Sequence, residues 1–301
     1  MKGCATNKIA LPRRGTATAL LALMIAALLF IAILDIGPLL GIGDDANAIL
    51  TLLAALVFVV AHGYIALGSR NIIAFSLITI VISFTSEAVG VATGLIFGAY
   101  HYTDLLGPKL LGVPPMIQIG YLATGYASVM MGRIILSLRA PVRGWAILAA
   151  SLAGAFIMVS WDVAMDPYQS TVAGDWIWRD GGGYFGVPLH NYAGWFGTVF
   201  VFMLVYFVFA SRCAEQPQED LIQNRIAFWS LPILYYALIA LGIIIAPLVD
   251  GVSLPYASPA NYTGTPQALQ ASMSLVAIFV MGSPVIFALC RLFLDRTRAV
   301  A

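Results

Sequence analysis

The sequence is poor in charged residues. Asp, Glu, Lys and Arg make up only 10% of its 301 residues, against about 25% in a typical soluble domain. Hydrophobic residues make up 61%, and the net charge is +1. Such a chain offers neither a basic surface for nucleic acid nor a strongly acidic one. These deficits exclude a nucleic-acid partner and indicate an integral membrane protein with little soluble mass.

Cysteine and histidine are also scarce, which limits metal and disulfide chemistry. The chain has three of each. Cys4, Cys213 and Cys290 are predicted near one membrane face, the cytoplasmic one, and their spacing fits no zinc site. Three histidines are too few for a diiron centre of the His-rich membrane desaturase kind. The sequence has no HExxH pair, phosphate-binding glycine loop or GxSxG elbow. We therefore expect no bound metal and no cofactor.

Long apolar runs are abundant, and each needs about 20 residues to cross a bilayer. Because lipid cannot satisfy an open backbone, the runs are predicted to be helices. The prediction is an all-α, polytopic membrane bundle of about eight transmembrane helices in a single domain, residues 1–301. Short tails flank it at 1–15 and 292–301. The predicted spans are 16–36, 47–68, 72–98, 116–138, 144–165, 189–210, 227–249 and 268–291.

The basic residues are distributed asymmetrically between the two sets of loops. All of the 15 Lys and Arg residues except Lys109 and Arg179 lie at the termini or near the connections at 68–71, 137–144 and 211–226. Excess Lys and Arg marks the cytoplasmic side. We therefore expect a multi-pass protein of a bacterial or archaeal cell membrane with both termini cytoplasmic.

Carboxylates inside membrane spans are costly, and they usually mark function. Asp35 is expected at a solvated helix edge, whereas Glu87 lies deeper, in the third span. Asp162 ends the fifth span, and Asp166 follows one turn later on the same helical face. Since both spans run outward, the sequence predicts that these acids meet in one polar layer, on the non-cytoplasmic side.

A row of glycines accompanies Glu87 in the stretch SEAVGVATGLIFGAYHY. At helical spacing, Gly90, Gly94, Gly98 and His101 would share a face with Glu87, so that a backbone or a flat ligand could approach closely. For the glycines taken alone, simple helix–helix packing is the better explanation. A buried acid requires a partner in either case.

Aromatic and hydrogen-bonding residues crowd the two loops that follow these helices. An interfacial aromatic belt accounts for scattered Trp and Tyr. It accounts less well for a glycine-rich loop that leads directly into a helix opening with Pro188, which predicts a tight backbone pointing into the polar layer. His190 is open to either a structural or a proton-transfer role. The predicted binding residues are Tyr100, His101, Tyr102, Trp161, Tyr184, His190, Asn191 and Tyr192.

Three stretches together resemble a known family. They are SEAVGVATGLIFGAYHYTDLLGPKLLGVP from residue 86, WDVAMDP at 161–167 and WIWRDGGGYFGVPLHNYAGW at 176–195. They are similar to those of the membrane carotenoid hydratases, which are related to bisanhydrobacterioruberin hydratase and bacterial γ-carotene hydratase. The resemblance covers roughly residues 50–290. It implies cofactor-independent addition of water across the terminal double bond of an acyclic carotenoid, which gives a tertiary alcohol.

The acids suit such a reaction, because alkene hydration begins with protonation to a tertiary carbocation. Asp162 and Asp166 could share a proton, and Glu87 could hold one through burial. The expected partners are a carotenoid drawn from the bilayer, water and other enzymes of carotenoid biosynthesis. A proton-coupled membrane transporter is the alternative, because intramembrane carboxylates also form proton relays. Another lipid-modifying enzyme and a structural role are further alternatives.

Overall fold

The computed structural model describes residues 14–36, 48–138, 140–213, 217, 222, 224–249, 262 and 264–300. Nine α-helical segments make up most of this part of the chain. They are α1 (Arg14–Ile36), α2 (Ala48–Leu67), α3 (Ser69–Thr93), α4 (Pro115–Ile135), α5 (Trp145–Tyr168), α6 (Leu189–Arg212), α7 (Arg225–Val249), α8 (Pro266–Val276) and α9 (Gly282–Val300).

The predicted eight-helix bundle is confirmed. A π-helical turn, Ala277–Met281, joins α8 and α9 into one continuous span. Six helices in the described ranges are long and apolar enough to cross a membrane: α2, α3, α5, α6, α7 and the joined α8 and α9. The last of these is helical to Val300, through the stretch expected to be a tail. The protein is therefore a multi-pass helical membrane bundle.

Helix α4 forms the centre of the bundle. It packs against α2, α3, α5, α7 and α9. Every residue from Tyr121 to Arg133 is buried. A helix enclosed by other helices does not need the apolar exterior that lipid demands, which explains why α4 tolerates Gln118, Thr124 and Ser128.

Two short strands lie at one end of the bundle, which we call the strand end. β1 (Tyr100–Tyr102) follows α3, and β2 (Trp176–Trp178) follows α5. They pair antiparallel, with Tyr100 opposite Trp178 and Tyr102 opposite Trp176. These strands are absent from the sequence-based prediction, because three residues are too few to show a period.

The third helix is shorter than predicted. It ends at Thr93, because Gly94 adopts the left-handed conformation at φ 71° and its N–H bonds to the carbonyl of Gly90. The prediction that helix 3 continues to residue 98 is therefore wrong. The chain turns back at this point, which brings β1 over the end of α3.

Candidate functional site

The two strands place four aromatic side chains on one face. Side chains alternate along a strand, so Tyr100, Tyr102, Trp176 and Trp178 point to the same side, while His101 points away. The ring centroids of Tyr100 and Trp178 are 4.9 Å apart. The phenols and the indoles donate hydrogen bonds to two different carboxylates. The strand pair is thus a cover that presents four hydrogen-bond donors to the bundle.

Glu87 of α3 is held by three tyrosine hydroxyls. Tyr100 and Tyr102 donate to Oε2, the latter at 2.9 Å, and Tyr121 of α4 donates to Oε1 at 2.8 Å. Burial and the nearby Glu87 raise the pKa of Tyr100 and of Tyr102, so both phenols keep their protons. A carboxylate accepts hydrogen bonds at both oxygens, and this cage therefore suits the ionised form of Glu87.

Asp162 and Asp166 of α5 lie one turn apart and are bridged by Asn191 at the start of α6. The amide nitrogen of Asn191 lies 3.1 Å from Oδ2 of Asp162 and 2.7 Å from Oδ2 of Asp166. The indoles of Trp176 and Trp178 donate to Oδ1 of Asp166, at 2.8 Å and 3.3 Å. Asp166 thus accepts three hydrogen bonds, whereas Asp162 accepts one.

The three carboxylates lack a cationic hydrogen-bond partner among the described residues. Their partners are phenols, indoles and one amide, all of them neutral. Three buried anions without a counter-charge would be strongly unfavourable, so the cluster must retain at least one proton. Within the described part of the chain, three polar atoms of this cluster are buried without a hydrogen-bond partner: Asp162 Oδ1, Asn191 Oδ1 and Tyr192 Oη.

A cavity of about 570 Å³ opens beside the cluster, within the usual range of about 300–1,000 Å³ for ligand pockets. Glu87, Asp166 and Asn191 line it, whereas Asp162 is not among its lining residues and lies behind Asn191. Trp161 and Trp195 add aromatic faces. The arrangement can therefore place an apolar ligand against two carboxylates.

The predicted glycine row does not line the cavity. Gly90 lies one turn from Glu87 on α3 and shares its face, but Gly94 ends the helix and Gly98 lies beyond it, so the row does not continue as one helical face. A Cβ at Gly90 would lie 2.6 Å from the ring of Phe97. The glycines instead permit the turn after α3 and the close return of the chain against it.

The remaining predicted residues divide into those at the cavity and those away from it. Trp161 lines the cavity. His101 and His190 are exposed and are not brought to the cavity. Tyr184 donates to the carbonyl of Val163 at 3.2 Å, and its ring contacts Tyr192 edge-on. Tyr192 lies close enough to Asp162 and Asp166 to interact with them electrostatically, but Tyr192 does not line the cavity.

Sequence reasoning missed the roles of three side chains that complete the site. Tyr121 completes the Glu87 cage, and its ring stacks on Trp195 with centroids 4.3 Å apart. Trp176 and Trp178 were expected only as members of an aromatic cluster, not as ligands of Asp166. YHY and WIW are each too short to show a strand period, and their pairing spans more than 70 residues and has no local signature.

Metal-binding geometry is absent from the described ranges, in which no group of three or more His, Cys, Asp and Glu side chains could hold an ion. One further acid lines the cavity near its rim, outside the spans. Burial raises the pKa of Asp175 to about 6, and its carbonyl oxygen accepts the N–H of Thr103 at 3.0 Å.

The fold and the site define a class: a multi-pass helical membrane protein with a buried, cation-free carboxylate cluster facing an apolar cavity. Comparison with known proteins then gives the family. The sequence model of the carotenoid biosynthesis protein family matches residues 46–259, most of the chain and all of the cluster, so the chain belongs to that family. Membership indicates a role in carotenoid biosynthesis. Neither a curated protein nor a solved structure matches the chain.

Proposed function

We propose that the protein is a carotenoid hydratase, a cofactor-independent hydro-lyase. It adds water across the terminal C=C bond of an acyclic carotenoid end group and produces a tertiary alcohol. The observation that carries the proposal is the cluster of three carboxylates without a cationic partner at the wall of an apolar cavity. Such a cluster keeps a protonated carboxyl group that is shielded from water and lies next to the hydrocarbon. Protonation of an alkene requires an acid in this position.

Asp166 is the acid in this proposal, because it lines the cavity. Its proton comes from Asp162, which lies behind it: Asp162 accepts one hydrogen bond and Asp166 three, so the proton rests on Asp162 and moves to Asp166 for the transfer, with Asn191 bridging the two. The indoles of Trp176 and Trp178 stabilise the anion that Asp166 becomes after the transfer. Glu87 remains a carboxylate in its cage of phenols and supplies negative potential near the developing cation.

The reaction balances with the substrate and one water. The alkene π pair takes the proton of the Asp166 carboxyl group, so that a C–H bond forms and a tertiary carbocation remains. Faces of Trp161 and Trp195 stabilise it by about 0.5–2 kcal/mol each. Water adds through oxygen, and its surplus proton returns to the aspartate pair. Nothing is oxidised or reduced.

The proposal also includes a location. The count of Lys and Arg favours an orientation with the strand end on the non-cytoplasmic side of a cell membrane. There a carotenoid lying in the bilayer reaches the interface with its end group, where water is available. Reporter fusions after residues 107 and 141 test this orientation. A reporter active only outside the cytoplasm should work at the first position and not at the second; the reverse pattern contradicts it.

Pigment conversion in cells tests the activity. The chain is expressed in a host engineered to make lycopene or γ-carotene, and the extracted pigments are analysed by mass spectrometry. The expected result is a new carotenoid heavier by one water. An equally abundant Asp166→Asn variant should leave the pigment unchanged. If the wild-type protein leaves lycopene, γ-carotene and a bacterioruberin precursor all unchanged, the hydratase assignment fails.

A further inference from the structure

The cavity has two chemically different walls. The first, described above, carries the carboxylates and comes from α3, α5, α6 and the strands. The second comes from α2, α4 and α7, and apart from Thr51 it has no polar side chain. Its members include Leu52, Met116, Ile117, Gly120, Ile239 and Gly242. The two walls meet on α4, where Gly120 adjoins Tyr121 of the Glu87 cage.

The second wall is shaped by small residues as well as being apolar. A Cβ added at Gly120 would meet no atom within 4 Å, so this part of α4 faces open space. Gly120 is one turn from Met116 and Ile117, so the three form one face of α4. On α7, Gly242 and Ile239 are likewise one turn apart. The wall therefore has an open gap at Gly120, and Gly242 and aliphatic side chains line the rest of it.

We propose that this second wall is the binding site for the conjugated polyene chain adjoining the reacting end group. The inference rests on the proposed function and adds to it where the unreactive part of the substrate lies. A polyene is flat, rigid and without hydrogen-bonding groups. It gains most from aliphatic contacts and from gaps where no side chain projects. The wall has both, and it directs the end of such a chain toward Asp166 and Glu87.

A side chain grown from Gly120 tests the assignment. Gly120→Leu places a side chain in the open space at the wall, because no atom lies within 4 Å of a Cβ added there. Gly197→Leu on α6 is the matched control, because its added Cβ also meets no atom within 4 Å and Gly197 does not line the cavity. Both changes also improve helix propensity to the same degree.

Two substrates of different length give the decisive readout. One is the acyclic carotenoid, and the other is 2-methyl-2-heptene, which has the same trisubstituted end group but no polyene. Gly120→Leu should slow hydration of the carotenoid by roughly tenfold or more and leave that of the short alkene within about twofold. Gly197→Leu should hydrate both at the wild-type rate. Equal carotenoid rates in Gly120→Leu and wild type would overturn the proposal, as would equal losses for both substrates.

Pigment retention separates this inference from the proposed function. Protein purified from lycopene-producing cells is assayed for bound carotenoid by its visible absorption. Wild type and Gly197→Leu should retain pigment and Gly120→Leu should lose it, whether or not hydration occurs. Equal retention by all three would overturn the assignment. If Gly120→Leu does not fold, Gly120→Ala tests the same space with a smaller expected loss.

The one polar side chain of the wall provides an independent test. Thr51 Oγ1 is buried and has no hydrogen-bond partner in the described part of the chain. An apolar ligand cannot satisfy it, so Thr51→Val, which keeps the shape, should strengthen pigment retention. Weaker retention in Thr51→Val would show that the wall binds a polar group and would contradict a polyene there.

Discussion

Two buried polar centres lie in this bundle, one at each end, and they are built differently. At the end opposite the strands, His62 of α2 is fully buried. Its Nε2–H donates to the carbonyl of Phe228 at 3.2 Å, and its Nδ1 lies 2.6 Å from the Tyr126 hydroxyl. Its ring stacks on that of Phe228 with centroids 4.1 Å apart. At the strand end, three acids share neutral donors, and three polar atoms of their cluster have no partner among the described residues.

The difference separates stability from chemistry. Both nitrogens of His62 have partners, so the imidazole is neutral, satisfied and enclosed by aromatic rings. The ring therefore has no free hydrogen-bonding group with which to bind a ligand. The carboxylates of the cluster have no cationic partner among the described residues, so the cluster retains a proton. It also opens onto a cavity. A polar group that is buried and satisfied stabilises the fold, whereas an incompletely satisfied one at a cavity is available for catalysis.

The largest effect is expected from removing the shared proton. Asp166→Asn should lower the rate of hydration by about 10²–10⁴-fold, the usual contribution of a positioned acid. Asp162→Asn should lower it by a similar factor, because either change removes one holder of the proton. Both substitutions preserve size, so the protein should still insert and fold. Initial rates with purified protein, normalised to the monodisperse fraction, measure the effect.

Deuterium exchange identifies the failing step in these variants. In heavy water, a protein that protonates the alkene but captures no water returns the alkene labelled with deuterium. Asp166→Asn and Asp162→Asn should give neither alcohol nor labelled alkene. Labelled alkene from either variant would show that the residue acts in water capture, and a fully active variant would remove it from the reaction.

Glu87→Gln should have the next largest effect. A glutamine can no longer accept at both ends, so its amide nitrogen faces at least one phenol that now has to accept rather than donate. Such a mismatch costs about 1–3 kcal/mol, which is roughly 5- to 150-fold in rate if the transition state bears all of it. Kinetics of the variant measure this loss. Tyr121→Phe, which removes one of three donors, should have a smaller effect, and a larger one would contradict the cage.

His62→Phe should have the opposite effect to the acid variants: it should lower stability and leave the rate of hydration unchanged. It removes the hydrogen bonds of His62 to the Tyr126 hydroxyl and the Phe228 carbonyl, so stability should fall by about 1–3 kcal/mol. The rate per folded molecule should stay at the wild-type value. Thermal unfolding in detergent gives the first quantity, and hydration at a temperature well below Tm gives the second. A loss of catalysis at unchanged Tm would contradict the claim that His62 contributes to stability and not to the reaction.

The smallest effect is a pH dependence at the rim of the cavity. Burial raises the pKa of Asp175 from its ordinary 3.8 to about 6, so folding favours its protonated form. The contribution of Asp175 to the stability of the fold is therefore fully present below pH 4 and is lost as the pH rises toward and through 6. Between pH 4 and 7, the Tm of Asp175→Asn should fall less than the Tm of the wild type. Equal falls would show that Asp175 is better solvated than its position indicates.

The sequence specified the helices and the acids because both have local signals. Twenty apolar residues identify a span, and the spacing of Asp162 and Asp166 alone places them one turn apart on a helix. Glu87 stood out as a carboxylate in an apolar run. The structure brings these acids to one layer at the strand end, as the sequence predicted, and their catalytic roles stay a proposal.

The partners of the acids could not be predicted, because they arrive from distant parts of the chain. Tyr121 and Asn191 reach Glu87 and Asp162 across 34 and 29 residues. The end of α3 was misplaced because Gly94 lies in an apolar stretch that reads equally well as helix, and only its left-handed conformation ends the helix. The strands depend on pairing rather than on composition.

Labelled water with purified protein tests the central claim most directly. Wild type, Asp166→Asn and His62→Phe are each given an acyclic carotenoid in heavy-oxygen water, and the product is analysed by mass spectrometry. The account predicts one heavy oxygen in a tertiary alcohol from wild type and from His62→Phe, and no product from Asp166→Asn. An unlabelled alcohol, or equal product from Asp166→Asn and wild type, would contradict the claim that the carboxylate cluster adds water to the alkene.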